Sequence, residues 1–255
     1  MKQLFSRLAR AGAASIAIAF ALGSAPVHAE EGFPLDRAPD NSANLASLQH
    51  GAQLFVNYCL SCHSATMMRY SGLQGIGLSE KTIQDNLLFA TDKVGSTMTV
   101  AIRPDDAKAW FGAQPPDLSV EARARSRDWL YTYLRGFYRD DTRPTGWNNM
   151  VYANVGMPHV LWQLQGQRAA KFEDVVDEKT GEKIHKFVGF QQVTPGTLSP
   201  EKYDAAVGDL VGYLSWMAEP HKQTRTHLGV WVLLFIGLMT VVAWRLNAAY
   251  WKDVK

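Results

Sequence analysis

Cys59-Leu60-Ser61-Cys62-His63 is the stretch from which the rest of the chain can be read. Its spacing, C-x-x-C-H, is the one that attaches a c-type haem covalently. Two thiols add to the two vinyl groups, and the adjacent histidine lies under the ring, where a neutral imidazole can coordinate iron. Cys59 and Cys62 are the 2 cysteines of the 255-residue chain. Other uses of the pair fit less well. A structural zinc site takes four ligands, and no second cysteine pair completes one. A thioredoxin-like C-x-x-C opens a helix after a strand, whereas this one closes a helical segment. A disulfide across two intervening residues closes too short a loop to constrain much.

Upstream, Leu45, Leu48, Ala52, Phe55 and Cys59 recur at helical spacing with polar Asn44, Gln49, His50 and Gln53 between them. The motif is therefore expected at the end of an amphipathic helix. Farther upstream, residues 1–29 read as a secretory signal. Lys2, Arg7 and Arg10 form a basic start, residues 11–22 an apolar run, and Val27-His28-Ala29 a small-residue cleavage site. The apolar run is short for a membrane span. Export agrees with haem attachment outside the bacterial cytoplasm.

Downstream, residues 64–78 carry several glycines and read as a loop, and Ser79 is placed to cap a helix to about Phe89. Pro104 to Trp110 reads as a short helical turn broken by Gln114-Pro115-Pro116-Asp117. Ser119 is expected to cap a helix to about Phe137, and residues 138–170 to be irregular. Phe172 to Phe190 reads as a hairpin around Lys179-Thr180-Gly181-Glu182. Ser199-Pro200-Glu201 is a strong helix start. Tyr203, Val207, Leu210, Val211, Leu214 and Met217 then form one apolar face. Beyond Pro220, Leu228 to Trp244 carries no charge and is flanked by Trp231, Trp244, Tyr250 and Trp251, as a transmembrane helix would be.

The fold class expected is mainly α: a cytochrome c-like haem domain with long loop insertions and a small β-hairpin, plus one C-terminal transmembrane helix. The expected divisions are a signal peptide at 1–29, a periplasmic haem domain at 30–222, an anchor at 223–247 and a cytoplasmic tail at 248–255. The formal charge of +2 turns mildly acidic once Lys2, Arg7, Arg10 and the charges after the span are set aside. That balance argues against nucleic acid and suits a basic redox partner.

The second iron ligand decides between electron transfer and ligand chemistry, and a methionine thioether would favour ferrous iron. Of 8 methionines, Met1 lies in the signal and Met239 in the span. Met67 and Met68 follow His63 too closely to reach over the ring, and Met217 belongs to a core face. Met98, Met150 and Met157 remain. Met157 sits in Asn154-Val155-Gly156-Met157-Pro158-His159, a loop able to bring sulfur to a haem face. His159 and His50 are rival ligands.

The sequence resembles the cytochrome c1 family of proteobacterial cytochrome bc complexes over nearly the whole mature chain. The matching pieces are the haem motif, Pro115-Pro116-Asp117-Leu118-Ser119 followed by Ala122-Arg123-Ala124-Arg125, Gly156-Met157-Pro158, and Trp216-Met217-Ala218-Glu219-Pro220 before a single anchor. The resemblance implies one covalent haem c with His63 and Met157 as axial ligands. It also implies Pro115 and Pro116 along the haem edge and Arg125 on a propionate, with Arg123 as the other candidate. It further implies an electron-transfer subunit, not an enzyme on its own. Cytochrome b and a Rieske iron–sulfur protein would be its partners in a quinol-oxidising complex, with soluble cytochrome c as acceptor. The setting would be the lipid of the bacterial inner membrane, with the haem domain in the periplasm and the complex dimeric. An axial loop reading Met-Pro-His and the absence of an extra cysteine pair are departures from some relatives. Two other readings stand beside it: an anchored cytochrome c serving a different oxidase or reductase, and a haem peroxidase using His159.

Overall fold

The structure, a computed structural model, describes residues 33–100, 102–176 and 183–253. The expected signal segment and the turn at 179–182 lie outside these residues. Helix α1 (Leu45–Leu54) begins where the Asn44 side chain accepts the Ser47 amide. It passes into a wider π-helical turn at Phe55–Cys59, closed by a hydrogen bond from the Leu60 amide to the Phe55 carbonyl (3.0 Å). Leu48, Ala52, Phe55 and Cys59 are buried as their spacing predicts, while Leu45 at the first turn is exposed.

The expected loop at 64–78 is structured instead. Strand β1 (Ala65–Arg69) runs antiparallel to β2 (Thr97–Met98), and a 3-10 turn follows at Tyr70–Ile76. Tyr70, Leu73 and Ile76 are fully buried. This segment's apolar side chains draw it into the core, and its glycines permit close packing; Gly75 lies against the Trp216 ring. Helix α2 (Glu80–Asn86) is capped by Ser79 as expected but ends before Phe89, which is exposed. Helix α3 (Pro104–Phe111) stops at Gly112, whose φ of +76° suits glycine.

The helix expected from Ser119 to Phe137 is broken in two: α4 (Glu121–Ala124) and α5 (Arg127–Arg135). Ser126 sits in the break at φ +84° and its hydroxyl accepts the Trp129 amide (3.3 Å), so it caps α5. Ser119 has another use: its hydroxyl accepts the Met67 amide (3.0 Å). Beside it, one Asp117 oxygen takes the Thr66 amide and hydroxyl. The proline turn is thereby laced to β1.

Residues 138–170 are less irregular than expected. Strands β3 (Phe137–Arg139) and β4 (Trp147–Asn149) pair antiparallel, and a short α6 (Trp162–Gln165) follows. The hairpin is longer than its apolar pattern suggests, with β5 (Gly166–Val176) against β6 (Lys183–Pro195). Its polar residues sit on a ribbon with much of its surface exposed, so no strict apolar–polar alternation marks it in sequence. At its root the half-buried Arg168 guanidinium donates to the Arg135 and Phe137 carbonyls and lies over the Phe190 ring.

Helix α7 (Pro200–Ala218) is capped by Ser199, and all six residues of its predicted apolar face are buried. It crosses α1 at very close range: a Cβ added to Gly51 would lie 2.2 Å from the Asp209 carbonyl oxygen and 2.7 Å from the Tyr213 Cβ. His50 of α1 and Asn41 in the segment before it both reach the Asp209 carboxylate of α7 at 2.8 Å.

Helix α8 (Lys222–Tyr250) has 29 residues, about 44 Å at 1.5 Å per residue. Its most apolar window has a mean hydropathy of 2.0 with none of it buried. Among the described residues it is the one helix long and apolar enough to cross a membrane.

Candidate haem centre

The π-helical turn delivers Cys59, and the turn after it delivers Cys62 and His63, to one wall of a cavity of about 290 Å³. The proline segment and α4 form a second wall with Pro115, Pro116, Glu121 and Arg125. Helix α5 contributes Trp129 and Tyr133, the loop before α6 brings Met157, and α7 closes the back with Leu210 and Leu214. Cys59, Cys62, His63, Pro115, Pro116, Arg125 and Met157 all line this one space, although they are spread over a long stretch of chain.

His63 is nearly buried, and its Nδ1 lies 2.8 Å from the Pro116 carbonyl. A carbonyl can only accept, so Nδ1 carries the proton and Nε2 keeps its lone pair for a metal. Burial holds this imidazole below its usual range, against the Pro116 carbonyl and the Glu121 and Asp117 charges, which pull the other way. The neutral ligand form is therefore favoured. Burial, with the neighbouring Cys62 second, pushes the Cys59 thiol up to about 12. Among the described residues no group of three or more His, Cys, Asp or Glu side chains is arranged to hold a metal ion. Two thiols on one wall, an imidazole with its far nitrogen fixed by a carbonyl, and a thioether in the same cavity suit a covalently held haem.

The structure separates the three candidate sulfurs. Met98 is fully buried in the core, with its sulfur 3.8 Å from the Tyr213 hydroxyl. Met150 follows β4, held by its amide to the Gly136 carbonyl, and is not among the cavity residues. Met157 lines the cavity, and its sulfur accepts the Tyr133 hydroxyl at 3.3 Å. Its loop is pressed close to α3: a Cβ added to Gly156 would lie 2.5 Å from the Phe111 carbonyl oxygen.

The rivals lie elsewhere. His50 is engaged by Asp209 of α7 and does not line the cavity. His159 is 2% exposed, stacked on Phe137 (4.9 Å, 6°) and edge-on to Trp147 (5.1 Å), and does not line the cavity. Burial drives it down to about 3, so it is a neutral packing residue. Arg125 faces the cavity, with its Nε 3.3 Å from Glu121 and its guanidinium 5.0 Å over the Trp129 ring. Arg123 turns away and pairs with Glu219 at 3.5 Å.

Sequence reasoning missed Glu121, Trp129 and Tyr133. Trp129, Tyr133 and Phe137 recur every fourth residue, which is the available signal for one aromatic stripe along α5 and on into the start of β3. In the structure the stripe is continuous. Trp129 stacks on Tyr133 (4.8 Å, 11°), and Tyr133 meets the Phe137 edge (5.1 Å, 67°).

The sequence profile described as the Cytochrome C1 family matches residues 37–107 and 91–254. A protein named cytochrome c1 from Allochromatium vinosum is 46% identical over 221 residues, 86% of this chain and 89% of that one. A Nitrosomonas europaea protein named ammonia monooxygenase gamma subunit is 45% identical over 220 residues, 86% of this chain and 88% of that one. A Bradyrhizobium diazoefficiens protein named cytochrome b/c1 is 26% identical over 303 residues, 96% of this chain but 41% of that one.

Proposed function

The chain belongs to the cytochrome c1 family, and from that premise we propose that it takes an electron from a Rieske iron–sulfur protein and hands it to a soluble cytochrome c. As a family member it is a membrane-anchored electron-transfer subunit of a cytochrome bc1 complex, not an enzyme on its own, and carries one covalent haem c. The bound group supplies a one-electron couple, and the protein's part is to hold and tune it. In our reading Cys59 and Cys62 would hold the haem through thioethers, His63 Nε2 and the Met157 sulfur would be the iron's donors from the chain, and Pro115 and Pro116 would pack against it. Arg125, held in place by Glu121 and Trp129, meets a propionate. The signal peptide, the periplasmic position of the haem domain and the cytoplasmic tail belong to the same reading, as does an inner-membrane complex that dimerises.

The observation that carries this reading is the convergence of Cys59, Cys62, His63 and Met157 on one largely apolar cavity. With His63 and Met157 both donating, the iron would keep no position for substrate, and His159, the candidate acid–base group of a peroxidase, packs outside the cavity. Cytochrome b is favoured as a partner because a relative's name, cytochrome b/c1, joins the two. The Nitrosomonas relative's name keeps a second reading open, an anchored cytochrome serving a different oxidase.

Affinity purification of the detergent-solubilised native protein decides between them. Co-purified cytochrome b and a Rieske protein support the proposal; oxidase or monooxygenase subunits in their place overturn it. Rapid carbon monoxide binding by the ferrous protein would refute the closed iron site.

A further inference from the structure

The phenol of Tyr133 has a use that its place in the core does not require. Its oxygen lies 3.3 Å from the Met157 sulfur, and both residues line the cavity. The ring is clamped between the Trp129 face and the Phe137 edge, and Trp129 is itself covered by the Arg125 guanidinium. The donor is thus fixed, whereas a methionine side chain is unbranched and turns about several bonds. A thioether sulfur has two lone pairs, and the phenol takes one of them.

We propose that Tyr133 is a positioning residue for Met157: its hydroxyl points the second sulfur lone pair into the cavity and lowers the electron density that pair can donate. The inference rests on the reading of Met157 as the second axial ligand. A poorer donor stabilises ferric iron less than ferrous, because the more highly charged ion depends more on donation. The hydrogen bond therefore favours the reduced protein. Loss of one hydrogen bond of ordinary strength should change the reduced-to-oxidised ratio three- to ten-fold at a fixed electrode potential. That is about 30–60 mV downward at 59 mV per tenfold for one electron.

The test is Tyr133→Phe in the full-length, haem-loaded protein, which removes one oxygen and keeps the ring in its stack. Two quantities are read: the sulfur-to-ferric-iron charge-transfer band and the midpoint potential. The expected result is a band in both proteins and a lower potential in the variant. Should the variant fail to load haem, a fluorinated tyrosine placed at position 133 gives the opposite sign. Its more acidic phenol donates more strongly, and the potential should rise. A band present with the potential unchanged overturns the role of Tyr133 alone. A band absent from the unmodified protein overturns the Met157 reading, and this proposal with it.

Discussion

Gly51→Ala sets two effects of opposite sign against each other, and the crossing of α1 and α7 decides which wins. Alanine in place of glycine inside a helix should stabilise by about 1 kcal/mol. Here the new methyl would lie 2.2 Å from the Asp209 carbonyl oxygen and 2.7 Å from the Tyr213 Cβ. Both sit on a packed helix and neither is the free end of a flexible side chain, so the helices must part by roughly 1 Å. A gap of that order forfeits a quarter to a half of the dispersion well for each contact along the seam. Overpacking of this kind costs about 1–3 kcal/mol and sometimes more. Backbone contact at 2.2 Å puts this case at or above the top of that range, leaving about 2 kcal/mol of net destabilisation after the helix gain. For a chain of this size that is a fall in Tm of about 4–8 °C. The assay is thermal unfolding of the haem-loaded protein in detergent by circular dichroism. Gly95→Ala is the internal control, because its added Cβ meets nothing within 4 Å and its φ is not positive. A Tm for Gly51→Ala equal to or above that of the parent would refute the argument that this crossing is backbone-limited.

Three further outcomes are expected. Gly156→Ala drives a methyl against the Phe111 carbonyl oxygen at 2.5 Å and should displace Met157, read as faster carbon monoxide binding by the ferrous protein with haem still attached. The Asp117 carboxyl is held below its usual range by hydrogen bonds from Ser119 and Thr66, which outweigh the opposing effect of burial. Its stabilisation is therefore present above the unfolded value of about 3.9 and lost as pH falls through the lower folded value. Asp117→Asn should flatten the stability profile below about pH 4, and an unchanged acid profile would show that the lacing of the proline turn contributes nothing. Ser126→Gly relieves a residue at φ +84°, worth about 1–3 kcal/mol. Glycine gives up only a few tenths of the cap, so chemical unfolding should show a gain of about 1 kcal/mol; a loss would mean that the Ser126 hydroxyl matters more than its backbone.

The parts of the fold legible in sequence are those where one residue type has one physical use. Ser79 and Ser199 cap helices because short polar side chains satisfy free amides, and the α7 face is read directly from its spacing. Ser119 looks equally like a cap but serves the Met67 amide, a partner from a distant segment that local pattern cannot reveal. Ser126 escapes notice for a related reason: a serine at positive φ is held there by its surroundings, and nothing in its neighbours announces it. The haem motif names Cys59, Cys62 and His63 outright. Choosing among Met98, Met150 and Met157 needs either a family resemblance or the cavity itself. Tyr133 is invisible as a site residue, because an aromatic in the middle of an amphipathic helix reads first as core.

The hairpin of β5 and β6 has a bearing on how such a chain can change over generations. Its root is fixed: Gly166 faces Pro195 across the ladder, and Arg168 is tucked under the carbonyls of Arg135 and Phe137. Its outer half pairs mainly with itself, and Phe172, Val176 and Val188 are exposed. Eleven residues of strand make an arm of about 37 Å. Insertions or deletions made in matched pairs toward its tip would keep the register and leave the ends side by side. The arm is therefore a place where length can drift and new surface can be tried while Cys59, His63 and Met157 keep their geometry.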